Sequence, residues 1–380
     1  MFMIDFRILK KSRKSNARLG ILQTPHGEVE TPALVPVATQ AVVKTLTSEE
    51  ALKTNTRLLI ANTFHLHLKP GEHIVKKAGG LHEFMQWPRP LMTDSAGYQV
   101  FSLGFGRDYG TGKILKEKRG EKIVRGAQPK LLRITEDGVR FRTPFDGAEI
   151  FIGPRESIKI QEKLGADMMF AFDECTSPIA DEAYTRAAME RTHRWAKVCL
   201  AAKKSNQALY GIVQGGKFKK LRQESAAHIG ALPFDGFGIG GEFGDNKKTM
   251  SVMLRTVIKE LPNGKPRHLL GIGHLEDIVK IVHEGVDTFD CTAPTHYARH
   301  GVAFTSRGRL EMRKMNFMTD QKPLDPKCGC EVCGAYTRSY ITHLLRAGEI
   351  TALRLLTFHN LHYFNAVVAD VRKKIKQGKI

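Results

Sequence analysis

No stretch of this 380-residue chain approaches the roughly 18 uninterrupted apolar residues that a bilayer-spanning helix requires, so no membrane association of that kind is expected. Its opening, MFMIDFRILKKSRKSN, holds no apolar run of secretory length, and a cytoplasmic location is the expectation. Nothing resembles a GxGxxG phosphate loop after the first strand-like run, which weakens a nucleotide-binding open sheet. No internal repeat recurs at a fixed longer period. Cysteine is sparse: there are six, and Cys328, Cys330 and Cys333 lie too close together for a disulfide framework, which favours metal ligation. Acids are in deficit, 39 against 59 lysines and arginines, a net charge of +20. That excess suits a polyanionic partner without naming it, since nucleic acid, membranes and acidic proteins would all be attracted.

What is present is ordinary in bulk and patterned in detail. A hydrophobic share of 42% is enough for a large buried core. From about residue 58 short apolar runs recur: LLIANTFH (58–65), PLMTDSAG (90–97), DMMFAFDEC (167–175), ALYGIVQGG (208–216), FGIGGEFG (237–244), HLLGIG (268–273) and VDTFDCTAP (286–294). Helix-period segments lie between them. Met250, Met253, Leu254, Val257, Ile258 and Leu261 form one apolar stripe, and Leu275, Ile278, Val279 and Val282 another; a longer helix is expected from about Asp181 to Lys204. Repeated strand–helix alternation predicts a parallel sheet with helices outside it. Asp94, Asp173, Gln214, Gly241 and Asp290 fall at the C-terminal ends of the runs, where a (β/α)8 TIM barrel builds its active site. A doubly wound open sheet is the structural alternative. The predicted division is a barrel over 1–317, a zinc-binding subdomain over 318–370, and a basic end over 371–380, whose closing KKIKQGKI (373–380) is expected to be frayed. The glycine-rich basic stretch 104–133 reads as a mobile loop inserted in the barrel.

Three groups of residues carry chemistry. Cys328-Gly-Cys330-x-x-Cys333 followed by a histidine-bearing segment makes a closed tetrahedral zinc site, normally structural, with His343, His359 and His362 competing for the fourth position. His65 and His67 share a face if their segment is a strand, but no carboxylate or cysteine nearby completes a metal site, so packing and hydrogen bonding are the better reading. Asp94 and Asp290 suit a double displacement at a sugar anomeric carbon, one attacking and the other handling protons. Each alone is as readily a turn or helix cap. Asp173 and Gln214 together offer donors and acceptors that match the edge of a purine.

Taken in order, the motifs resemble the tRNA-guanine transglycosylases, especially the bacterial form, over nearly the whole chain. They are Asn62-Thr63-Phe64-His65-Leu66, Thr93-Asp94-Ser95-Ala96-Gly97-Tyr98-Gln99-Val100, Arg142-Thr143-Pro144-Phe145-Asp146-Gly147, Ala171-Phe172-Asp173-Glu174-Cys175, Gly211-Ile212-Val213-Gln214-Gly215, Phe289-Asp290-Cys291, the cysteine cluster, and Leu355-Leu356-Thr357-Phe358-His359-Asn360-Leu361-His362. The resemblance implies a TIM barrel with a C-terminal zinc subdomain holding one structural Zn2+ per chain on Cys328, Cys330, Cys333 and His359. It implies a pentosyltransferase that replaces guanine at the tRNA wobble position by a free 7-deazaguanine base in queuosine modification, as a homodimer. It makes Asp290 the nucleophile and Asp94 the general acid/base. Asp94, Ser95, Ala96, Gly97, Tyr98, Asp173, Cys175, Gln214 and Gly241 would line the base pocket. Gly271, Ile272, Gly273, His274, Leu275, Glu276 and Asp277, with the turn Thr295, His296, Tyr297, Ala298 and Arg299, would contact the RNA.

The chain departs from the family pattern at four places. Ala96 stands for a glycine, and the Gly240–Gly244 segment is one residue short, which directs attention to Glu242 and the 7-substituent of the incoming base. His274 and His296 stand for lysine and arginine, weakening phosphate contacts at neutral pH. The 104–133 loop is expected to compensate by contacting tRNA. Two rival readings are a non-catalytic zinc-bearing partner subunit, which would have no need of both aspartates, and a relative acting on DNA or another tRNA position.

Overall fold

A computed structural model describes residues 4–98, 101, 132–143, 147–177, 179–241 and 247–380. Its centre is a closed barrel of eight parallel strands that neighbour one another in chain order. They are β1 (Ala33–Ala38), β2 (Leu59–Ala61), β3 (Leu91–Thr93), β4 (Met168–Phe170), β5 (Ala208–Val213), β6 (Gly236–Ile239), β7 (Arg267–Leu269) and β8 (Thr288–Cys291). β8 closes onto β1 with Asp290 opposite Val35. The chain therefore forms a (β/α)8 barrel, and the open-sheet alternative is excluded.

Seven of these strands match the apolar runs read from the sequence. β1 does not, because its ALVPVA segment carries Pro36, a residue that cannot donate to a ladder and that demotes a run as a central strand. Closure of the barrel buries β1 despite its proline, with Val37 alone half-buried.

Helices connect successive strands outside the barrel. Pro154–Leu164 precedes β4, Glu182–Ala202 follows it, Lys219–Gly230 follows β5, Lys247–Glu260 follows β6, and Leu275–His283 follows β7. Pro154 in the first turn and Gly165 in a left-handed C-cap (φ 74°) bound the first of these, as propensities for those positions dictate. The stripe from Met250 to Leu261 is buried as expected. In Leu275–His283, however, Val279 is 44% exposed and Ile281 takes the core position. The barrel fits against the turn on the Ile278–Ile281–Val282 side, so one member of the predicted stripe falls off its edge.

The inward side chains Val35, Ile60, Met92, Met168, Phe170, Tyr210 and Ile212 form one apolar cluster with Leu22 and Val29. The last two belong to an antiparallel sheet of Asp5–Lys11, Arg18–Thr24 and Gly27–Thr31, so this sheet packs onto the interior of the barrel. A second antiparallel sheet, Leu132–Ile134, Val139–Arg142 and Glu149–Ile152, lies in the β3–β4 connection. Residues 104–131 of the expected loop lie outside the described residues, while Leu132 and Arg133 open this sheet.

The C-terminal region folds against the barrel through the long helix Ile350–Lys376, which buries Leu355, Phe358, Leu361 and Phe364. This helix runs unbroken past residue 370 and buries Val371 and Ile375, so the end is not frayed where the basic composition predicted. Lys10 Nζ donates to Lys376 O (2.6 Å) and Ser12 Oγ to Ile380 O (2.7 Å), fastening the end to the N-terminal strand. Among the described residues, no helix is long and apolar enough to cross a membrane.

Candidate active site and metal centre

Asp94 and Asp290 sit on the same rim of the barrel, at the C-terminal ends of β3 and β8. Asp94 leaves β3 with its N–H bonded to Ala61 O of β2 (3.1 Å). Its Oδ1 accepts from Thr63 N (2.9 Å) and Ala96 N (3.1 Å), while Asn62 Nδ2 donates to Oδ2. The carboxylate is thus oriented by three donors drawn from the ends of β2 and β3. Asn62 and Thr63 were recognised only as part of a motif, and the fold shows what they do.

Asp290 is half-buried, with 14% of its side chain exposed. Its Oδ1 accepts from Gly271 N (2.6 Å) and lies 3.2 Å from His268 Nε2. The Gly271 N–H reaches it because the loop after β7 lies flat on β8. A Cβ on Gly273 would fall 2.7 Å from Phe289 Cδ2 and 2.9 Å from Cys291 Cβ, so only glycine permits this approach.

Between the two aspartates' strands, β4 and β5 deliver a buried polar pair. Gln214 Nε2 donates to Asp173 Oδ2 (2.6 Å), and Ser95 Oγ donates to Asp173 Oδ1 (2.7 Å). Asp173 and Gln214 are 4% and 2% exposed. Gln214 Oε1 is buried with no hydrogen-bond partner among the described residues. Gly97 packs on this pair: a Cβ there would lie 2.5 Å from Asp173 O and 2.7 Å from its Oδ1. Gly241 (φ 77°) stands equally close to Gln214 Oε1. Tyr98 packs half-buried beside the core, and Cys175 is buried. Ala96 holds a left-handed φ of 69°, where the family expectation is glycine. Glu242 lies outside the described residues, as do Gln99, Val100 and 144–146.

Two supporting groups were given no role by the sequence, Arg222 by lying outside every motif and Glu174 by standing in one only as a neighbour of Asp173. Arg222, fully buried, donates from Nε to Gly216 O (2.7 Å) and from Nη1 to Gly240 O (2.5 Å), tying the loops after β5 and β6 together. Glu174, beside Asp173, is pushed up by burial, against the opposing pull of Arg191 and Tyr184. Tyr184 Oη donates to it at 2.7 Å.

The segment Gly271–Asp277 and residues Thr295–Arg299 reach the same rim, but the second is helical (Ala293–Arg299) rather than a turn. Gly273, Asp277, Thr295 and Ala298 are buried, and the other residues of the two segments are half-buried or exposed. His296 is exposed, with His300 beside it (ring centroids 4.3 Å apart), and both His274 and His296 pack edge-on to Tyr297. Burial, aided by His300 and Arg299, lowers the pKa of His296. Arg309 lies over the Tyr297 ring at 4.9 Å.

His65 and His67 occupy a helix, Thr63–Leu68, and not a strand. A carboxylate does stand near: Glu72 Oε2 lies 2.7 Å from His67 Nδ1, as a hydrogen-bond partner.

Cys328, Cys330, Cys333 and His359 present their ligand atoms within 4.8 Å of one another. His359 Nδ1 is 3.5 Å from Cys330 Sγ and 3.3 Å from Cys333 Sγ, while its Nε2 faces Phe304 O at 2.8 Å. That carbonyl can only accept, so Nε2 carries the proton and Nδ1 turns its lone pair to the sulfurs, as a ligating imidazole requires. Hydrogen bonding among the crowded sulfurs holds the Cys328 thiol well below its usual range. His362 approaches only Cys328 (3.6 Å). Three thiolates and an imidazole can hold a metal ion, and the soft, closed set fits zinc. His26, His82 and Asp167 also bring their ligand atoms within 4.8 Å of one another, with the two rings stacked 3.5 Å apart at 13° and His26 Nδ1 2.7 Å from Asp167 Oδ1.

The family model described as queuine tRNA-ribosyltransferase matches residues 12–380. The chain belongs to this family. It is 44% identical over 379 residues to the queuine tRNA-ribosyltransferase of Moorella thermoacetica, covering 99% of this chain and 95% of that protein. It is 42% identical over 391 residues to a putative queuine tRNA-ribosyltransferase of Archaeoglobus fulgidus, covering 99% and 96%. The corresponding protein of Desulforamulus reducens is 43% identical over 379 residues, covering 99% and 96%. Membership makes the chain a transferase, specifically a pentosyltransferase.

Proposed function

We propose that the protein is a tRNA-guanine transglycosylase that exchanges guanine at the anticodon wobble position for a free 7-deazaguanine base, through a covalent link between Asp290 and the ribose. One observation supports this most directly: Asp94 and Asp290, each oriented by main-chain donors, stand on the rim that also holds the buried Asp173–Gln214 pair.

A carboxylate oxygen of Asp290 attacks the anomeric carbon. The C1′–N9 bond breaks, and its electron pair leaves with the purine. The departing base gains a proton and the incoming base loses one, so a single carboxyl, Asp94, can serve both half-reactions. The incoming nitrogen then attacks C1′ and returns the electron pair to Asp290. The RNA strand stays intact throughout because it is tethered to the enzyme between the two steps. Asp173 accepts from the purine's N–H edge, Gln214 and the Gly241 backbone complete the readout, and Tyr98 stacks. Extrusion of the base is inexpensive in a single-stranded loop. The net charge of +20, with His274, His296, Tyr297 and Arg299 at the rim, suits tRNA as the partner.

In the same reading Cys328, Cys330, Cys333 and His359 hold one structural Zn2+, which organises the 318–370 subdomain on the 1–317 barrel, and the protein works as a homodimer in the cytoplasm. The test is to trap the covalent RNA adduct on denaturing gels and to repeat the trap with Asp290→Asn. Loss of the adduct is expected; an adduct that persists would move the nucleophile to another residue.

A further inference from the structure

The reaction above leaves one residue of the rim without a task. His268 is completely buried in β7, with Nδ1 2.9 Å from Thr288 Oγ1 and Nε2 3.2 Å from Asp290 Oδ1. Its ring is also packed against Phe170, 5.3 Å between centroids. An ionised carboxylate can only accept, whereas a threonine hydroxyl can donate or accept. The neutral tautomer that satisfies both contacts therefore carries its proton on Nε2, aimed at Asp290, and at Nδ1 accepts a hydrogen bond from the Thr288 hydroxyl. Thr288 sits two residues before Asp290 on the same strand, so both ends of the imidazole are referenced to the nucleophile's own backbone.

We infer that His268 is a positioning residue for the transfer, working as a pair with the Gly271 N–H on one oxygen of Asp290. The inference rests on Asp290 being the nucleophile. Both of these groups address Oδ1, and in this proposal the attack is made by Oδ2. In the covalent intermediate Oδ2 is the ester oxygen and Oδ1 the carbonyl oxygen. When the incoming base displaces the enzyme, the C1′–Oδ2 pair returns to the carboxylate and half of the charge appears on Oδ1. The two N–H groups meet that charge as it forms, without rearrangement. Their effect on the two half-reactions is opposite in kind: they orient the attacking group in the first and stabilise the leaving carboxylate in the second.

This asymmetry separates positioning from mere packing. His268→Phe preserves the ring and the contact with Phe170 but removes the donor. It should lower kcat by about 10²-fold, the loss typical of one oxyanion donor, with the KM for tRNA changed by no more than about twofold. The covalent adduct should accumulate at steady state, because its breakdown loses more than its formation. His268→Gln, whose amide nitrogen can occupy the Nε2 position, should restore most of kcat and return the adduct to its wild-type level. Wild-type kcat and adduct level in His268→Phe would overturn the inference. So would an equal loss in both variants accompanied by equally lowered melting temperatures, which would mark His268 as packing only. Asp290→Asn, run alongside, keeps the two ideas apart: an adduct surviving that substitution overturns the nucleophile assignment itself, whereas its loss with an unaffected His268→Phe overturns only the role of His268.

Discussion

Gln214 donates from Nε2 to Asp173 Oδ2 at 2.6 Å, and both side chains are buried. The amide is thereby set with its nitrogen inward, leaving Oε1 as the acceptor offered to a base. Asp173→Asn can turn its Nδ2 to the Ser95 hydroxyl, which accepts, and keep its Oδ1 on Gln214 Nε2, but it forfeits the charged acceptor proposed to meet the N–H edge of the base. Losing that charged acceptor costs about 1–3 kcal/mol, or about 5- to 150-fold in affinity for the free base. Exchange kinetics with labelled guanine should show that rise in the KM for base, with the KM for tRNA nearly unchanged.

Arg222 bridges Gly216 O and Gly240 O from a fully buried position. Arg222→Met keeps the length of the side chain and strands both carbonyls. A loss of about 3 kcal/mol or more in unfolding free energy is expected from denaturant melts. Base binding should weaken with it, because the loop after β6 carries Gly241 against Gln214.

Gly97 and Ala96 are neighbours with opposite tolerances. Gly97→Ala would press a Cβ to 2.5 Å from Asp173 O and 2.7 Å from its Oδ1, displacing the carboxylate proposed to read the base. It should lower kcat/KM for guanine by more than about tenfold, a 1.4 kcal/mol effect. Ala96 already holds φ 69°, a conformation costing about 1–2 kcal/mol for an L-residue. Ala96→Gly relieves that strain but forfeits a buried methyl worth about 0.8 kcal/mol and adds chain entropy of similar size. Thermal melting should therefore place the variant within about 1 kcal/mol of the parent, with activity retained.

The cysteine cluster predicts a metal dependence of folding. Metal analysis of the purified protein should give about one zinc per chain, and Cys330→Ser should lose it. The melting temperature should fall by about 10 °C or more, since structural zinc contributes several kcal/mol and each kcal/mol shifts a domain of this order by about 2–4 °C. Full metal content in that variant would exclude Cys330 as a ligand.

The exposed His296, beside His300 and Arg299, should make tRNA binding depend on pH. Burial and the neighbouring cations lower the pKa of His296, so the free protein holds it neutral at pH 7. A phosphate nearby favours the charged form and raises that pKa, so binding takes up a proton and affinity must increase as pH falls. Titrations by fluorescence anisotropy between pH 8 and pH 5.5 should show tighter binding at the acid end. His296→Arg, charged throughout, should flatten the profile and tighten binding at pH 8.

Much of the architecture was legible in the amino-acid sequence because the barrel repeats one local rule. Each buried parallel strand is a short apolar run, each outer helix an apolar stripe, and seven of eight strands obeyed. The cysteine spacing needed no fold to be read, since ligands two and three residues apart meet within a single tight loop. Candidate acids were legible for the same local reason, as polar residues ending apolar runs. The remaining strand, β1, was hidden by Pro36, whose unfavourable local signal barrel closure overrides. Only the tertiary structure decided which polar groups hold which. His268 meets Asp290 across 22 residues, Asn62 meets Asp94 across 32, and Gln214 meets Asp173 across 41, all through the pairing of neighbouring strands. Hydrogen bonding between strands has no period along the chain: the sequence names an aspartate at a strand end, and the closed barrel determines which donors orient it.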